Sequence, residues 1–219
     1  MPAVVVFDCF DTVVTARPLP GPGECALALA GALELDRRCA DEVVGAVFTA
    51  VLTALADPLA LQPPTLELLD AALRERGLSR QRADLERALW HALGCADPGQ
   101  YALCEPAAEA MRRTAEAGHT VRLMSNCFLP GRLMRRLLAG LGVPEVYDRA
   151  LFTADGGPKK PDPRAFRLIG EGDFARRVMV GDSGELDLAP AAALGWDTVR
   201  VDPGAPDLSA LHTLLRRVG

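Results

Sequence analysis

From about residue 104 the chain alternates short β-branched runs with helical stretches of roughly ten to fifteen residues, the pattern of βαβ units around a parallel sheet. Strands are expected at 120–124, near 149–153, at 177–181 and at 197–201. Helices are expected at 106–117, 130–141, 163–170, 186–194 and 207–217. One more strand, Val4-Val5-Val6-Phe7, stands apart near the N-terminus, a continuous apolar run suited to burial on both faces. After it, residues 16–23 form a Pro/Gly linker, and from Glu24 to about Leu93 the pattern is helical, with segments near 24–35, 40–56, 65–76 and 80–93. The expected class is therefore α/β. A Rossmann-like parallel-sheet core, residues 1–15 and 104–219, is interrupted by an all-helical cap, residues 16–103.

The 219 residues are 49% hydrophobic with a net charge of −5, too apolar and too weakly charged for disorder. No run of eighteen apolar residues occurs, so no membrane partner is expected. The acidic balance argues against a nucleic-acid partner. The N-terminus lacks a positive region and carries an acid at position 8, unlike a signal peptide. Cys9, Cys25, Cys39, Cys95, Cys104 and Cys127 show no C-x-x-C or zinc spacing and read as reduced thiols. A cytoplasmic monomer or homodimer is the expected setting. Of 24 basic residues only Lys159 and Lys160 are lysines, adjacent in a Gly/Pro loop. The Arg pairs at 112–113, 135–136, 176–177 and 216–217 read as solvated helix faces.

Open parallel sheets bind ligands at the carboxyl ends of their strands. Those ends carry Asp8, then Ser125 and Asn126, then Lys160 in the loop after the third strand, then Asp182 in the turn after the fourth. One such Asp is ordinarily a turn or cap residue; reactive groups at four successive ends point to an active site. The set suits phosphoryl transfer. Mg²⁺ relieves repulsion between two acids and takes one or two carboxylates. Asp8 is the candidate nucleophile. Ser125 and the backbone amides following Asp8, from Cys9 and Phe10, are placed to hold phosphate oxygens, and Lys160 to neutralise charge. Cys9 and Cys127 lie in the same motifs, but neither has a His near it in sequence to activate a thiolate.

Four motifs resemble those of the haloacid dehalogenase (HAD) superfamily: Phe7-Asp8-Cys9-Phe10-Asp11-Thr12-Val13, Leu123-Met124-Ser125-Asn126, Lys160-Pro161-Asp162-Pro163 and Val180-Gly181-Asp182-Ser183-Gly184-Glu185-Leu186-Asp187. The resemblance implies a nucleophile at Asp8, a phosphate ligand at Ser125 with Asn126 beside it, and a charge-neutralising Lys160. It implies Mg²⁺ held by Asp8, Asp182 and the backbone carbonyl of Phe10, with Thr12, Ser183 and Asp187 supporting from behind. It also implies that the helical insert is a C1-type cap, which in this family sets specificity. The insert itself carries no readable signature.

One position departs from the pattern. Phosphatases of the family carry a second Asp two residues after the nucleophile, as general acid and base; here that residue is Phe10. Asp11 is one residue too late, and a general acid must come within ~2.6–3.2 Å of its proton. An aromatic residue at this position is a feature of the family's metal-free dehalogenases, whereas Gly181-Asp182-Ser183 and Asp187 lean toward a Mg²⁺ phosphatase. The expected function is a Mg²⁺-dependent phosphatase or phosphotransferase acting on a small phosphorylated metabolite. The alternatives are a 2-haloacid dehalogenase using Asp8 without metal, or a catalytically weak binding protein.

Overall fold

The computed structural model describes residues 2–216. Its first strand, β1 (Ala3–Asp8), runs through the middle of the main sheet. The others are β4 (Thr120–Ser125), β5 (Tyr147–Phe152), β6 (Arg176–Gly181) and β7 (Asp197–Arg200). All pairings are parallel and the order is β5-β4-β1-β6-β7. A central strand must be apolar on both sides, and β1 is. Ala3, Val5 and Phe7 pack in the main core with Leu123 and Val180, while Val4 and Val6 join Met124, Phe166, Met179 and Trp196 on the other face. Connections leave β1 toward β4 on one side and reach β6 on the other, so the sheet's switch point falls at the end of β1, where such sheets bind ligands.

Helices α5 (Glu105–Glu116), α6 (Gly131–Leu141), α7 (Pro163–Ile169), α8 (Ala189–Ala193) and α9 (Ser209–Arg216) complete the core. The cap is four helices: α1 (Pro22–Leu33), α2 (Arg37–Ala56), α3 (Thr65–Arg74) and α4 (Arg82–Ala92). Helix α1 packs on α2 and α4, and α2 on α3. Asp36 caps α2 by accepting from the Cys39 N–H at 2.9 Å. By length and composition α2 alone among the described residues could cross a bilayer; in the fold it is a cap helix that buries Val43, Val44 and Val51.

Three local expectations change. A two-stranded antiparallel ribbon, β2 (Val14–Ala16) with β3 (Tyr101–Leu103), joins the two ends of the helical insert in a neck where no strand was expected, meeting the expected 16–23 linker only at Ala16. Three-residue strands show no periodicity, and these pair across more than eighty residues of sequence. The helix expected at 186–194 begins instead as a π turn over Gly184–Leu188, and only Ala189–Ala193 is α-helical. Arg176 and Arg177 lie on β6 rather than on a helix face, and Arg217 lies outside the described residues. Phe7 is fully buried one residue before Asp8. Phe7→Ala should therefore destabilise the protein by about 3–5 kcal/mol, measured by urea unfolding; a loss below about 1 kcal/mol would contradict this account of the core.

Candidate active site

Register brings the strand ends together. Asp8 pairs with Met124 and Phe7 with Val180, so Gly181 is level with Asp8 and Ser125 stands one step beyond it. Lys160 enters from the loop after β5. Its ammonium donates to Asp8 Oδ1 and, at 2.6 Å, to Asp187 Oδ1, and all three side chains are buried. Asn126 places this lysine: its Nδ2 donates to the Lys160 carbonyl at 2.8 Å, and the Lys160 N–H donates to its Oδ1 at 2.9 Å. Expected beside the phosphate, the Asn126 amide is instead committed to the Lys160 backbone. The Thr12 hydroxyl donates to Asp8 Oδ2 at 3.4 Å.

Asp187 reaches the cluster through the π turn. The Ser183 N–H donates to Asp187 Oδ2 at 3.1 Å, and Ser183 Oγ accepts from the Leu186 N–H at 3.1 Å. A Cβ at Gly181 would lie 2.5 Å from Asp187 Oδ2, so the strand must end in glycine. Asp187 is thus a direct partner of Lys160, closer in than the supporting place expected for it. The Gly181-to-Asp187 spacing was the available signal, but it does not reveal a π turn.

Carboxylate oxygens of Asp8, Asp182 and Asp187 lie within 4.8 Å of one another. Burial pushes Asp8 up to about 7, an effect that Lys160 offsets in part and Asp187 reinforces. Burial opposes the charge on Lys160 too, but Asp8 and Asp187 outweigh it and hold the ammonium above the ordinary lysine range. Burial and the neighbouring Asp187 raise Asp182. Three carboxyl groups gather around one ammonium, more acid than Lys160 alone can balance. All-oxygen donors with that surplus fit a hard divalent cation such as Mg²⁺. Ser125 Oγ is buried without a hydrogen-bond partner among the described residues, which costs about 1–3 kcal/mol. A phosphoryl oxygen would satisfy it.

Other expected residues fall around this centre. Phe10 is half-buried with its ring 6.0 Å from that of Tyr101 in the neck ribbon. Asp11 is exposed in a left-handed turn, φ 60°, a conformation that Asp tolerates. Burial holds the Cys9 thiol well above its usual range and pushes the Cys127 thiol up to about 12, which opposes the thiolate a nucleophile needs. Trp90 lies under the Arg136 guanidinium, 4.2 Å from its ring centroid. The cap arginines form surface ion pairs such as Arg74–Asp70 and Arg87–Asp84.

Fold and site together define an open parallel α/β sheet with an aspartate at its switch point. The chain belongs to the haloacid dehalogenase-like hydrolase family, whose model matches residues 2–195. No curated protein matches it. Among solved structures it is similar to a 2-haloacid dehalogenase from Pseudomonas syringae, at 20% identity and TM-score 0.59 over 100% of both chains. It is also similar to a putative HAD-hydrolase from Bacillus subtilis bound to magnesium, at 18% identity and TM-score 0.54, over 98% of this chain and 99% of that one. A HAD family enzyme from Bacteroides thetaiotaomicron, in complex with magnesium and inorganic phosphate, matches at 14% identity and TM-score 0.56, over 96% and 99%. Gly181→Ala should destabilise the protein by about 1–3 kcal/mol by overpacking Asp187; an unfolding midpoint equal to wild type would contradict the close approach at this strand end.

Proposed function

We propose that the protein is a Mg²⁺-dependent phosphatase or phosphotransferase of small phosphorylated metabolites, working through an aspartyl-phosphate at Asp8. The observation that carries this reading is the unpartnered Ser125 hydroxyl beside the Asp8–Lys160–Asp187 cluster. The magnesium-bound Bacillus and Bacteroides structures support it at the level of the fold. Asp8, Asp182 and the Phe10 carbonyl would hold Mg²⁺, which when bound screens the Asp8 carboxylate from the anionic phosphate. Lys160 fixes Asp8 Oδ1, leaving Oδ2, which has only the long Thr12 bond, as the oxygen that attacks phosphorus. A bond from Asp8 Oδ2 to phosphorus forms as the bond to the leaving oxygen breaks, and that oxygen departs with the electron pair. Ser125 and the amides of Cys9 and Phe10 hold the remaining phosphoryl oxygens, and Lys160 neutralises their charge. The oxygen of water or of an acceptor hydroxyl then bonds to phosphorus as the bond to Asp8 Oδ2 breaks, the Asp8 carboxylate leaves with the electron pair, and the attacking group's proton passes to solvent. The reading places the enzyme in the cytoplasm as a monomer or homodimer with no nucleic-acid or membrane partner.

Phe10 favours a second reading, a metal-free dehalogenase in which Asp8 attacks carbon. The two separate on the metal. Under the first, Mg²⁺ raises the melting temperature of wild type by several degrees at saturation, and Asp182→Asn removes most of that shift. The shift shrinks as pH falls below about 7, because Asp8 then binds a proton that competes with the cation. Halide release that survives EDTA, with no thermal shift, selects the dehalogenase.

A missing acid/base residue also shapes the substrate profile, since such a group contributes ~10²–10⁴-fold. Aryl and acyl phosphates, whose leaving groups depart without a proton, should be turned over well and alkyl phosphates poorly. Phe10→Asp should raise the alkyl-to-aryl ratio of kcat/KM by about tenfold or more, while Asp8→Asn should be inert on both. An unchanged ratio would mean that Phe10 does not occupy the acid/base position.

A further inference from the structure

Lys159 is one of two lysines among 24 basic residues, and no step above uses it. Its side chain is 2% exposed. Its ammonium donates to two cap carbonyls, Asp57 O at 2.7 Å and Ala60 O at 2.6 Å. Both lie in the segment joining α2 to α3, and that segment is tied at other points. Buried Gln62 donates from Nε2 to Cys127 O at 2.7 Å. Its N–H donates to Gly157 O at 2.9 Å, and the Gly157 N–H donates back to Gln62 O at 3.3 Å. Arg164 Nη2 donates to Leu59 O. One cap segment therefore bonds both loops of the phosphate site, the one that follows Ser125 and the one that carries Lys160.

We propose that residues 57–62 are a strap that sets the spacing of those two loops, and that Lys159 is the positioning residue that holds it. At a side chain only 2% exposed, a compact ammonium with three rotatable donors serves two converging carbonyls in less space than a planar guanidinium requires. That gives a physical reason for a lysine at this point of an arginine-rich chain. A strap acts on phosphate binding in ground and transition states alike, so its loss should appear in KM rather than in kcat.

The activity arm of the test rests on the phosphatase reading; the exchange arm does not. In full-length Lys159→Met, amide hydrogen exchange over 57–62 should accelerate about tenfold or more while α1 and α4 keep wild-type protection. Inorganic phosphate, titrated calorimetrically with Mg²⁺ present, should bind about tenfold more weakly, with KM for an aryl phosphate rising to match and kcat within about twofold. Lys159→Arg should not restore either value. Wild-type exchange and phosphate affinity in Lys159→Met would overturn the proposal, and so would a fall in kcat at constant KM. If Lys159→Met does not fold, Gln62→Ala, which cuts the strap at Cys127, must give the same two changes, and wild-type values there overturn it. A wild type that binds no phosphate overturns the phosphatase reading instead, and exchange alone then decides the strap.

Discussion

A buried ammonium between two buried carboxylates is the interaction on which this molecule turns. Lys160, Asp8 and Asp187 come from three distant stretches of chain, and none tolerates burial unpaired. Their meeting requires a strand buried on both faces to deliver Asp8, an Asn126 clamp to deliver Lys160, and a π turn past a glycine to deliver Asp187. The arrangement is still unbalanced. Three carboxyl groups face a single ammonium, and the Ser125 hydroxyl beside them is buried with no partner among the described residues.

Phe10 follows Asp8 by two residues and lies half-buried beside that cluster. Its ring packs toward Tyr101 of the neck ribbon. In the proposed phosphatase reading, Asp8, Lys160 and Ser125 keep their roles, while the group that would protonate a leaving alkoxide is replaced. Chemistry at such a site is governed by how readily the leaving group departs unaided.

The cap meets the core through directional polar contacts as well as packing. Backbone carbonyls of 57–60 receive a lysine, Gln62 reaches a core carbonyl, and Arg132 of α6 pairs with the largely buried Glu86 of α4. Such bonds fix the cap at defined points. Apolar burial in the cap interior instead holds its four helices to one another.

The sequence by itself determined the parallel sheet, the inserted helical cap and the four strand ends that carry Asp8, Ser125, Lys160 and Asp182. These are written in local periodicity and in residues adjacent to it, which chain order preserves. It also exposed the gap at Phe10, because the offset of two from Asp8 is a matter of counting. Tertiary structure alone decided what each side chain faces. Asn126 turned from phosphate to the Lys160 backbone, Asp187 moved from support to direct partner, the three-residue ribbon closed the neck, and Lys159 found carbonyls about a hundred residues away. Each of these depends on contacts between segments far apart in the chain, and a hydrogen bond of that kind leaves no period in the sequence.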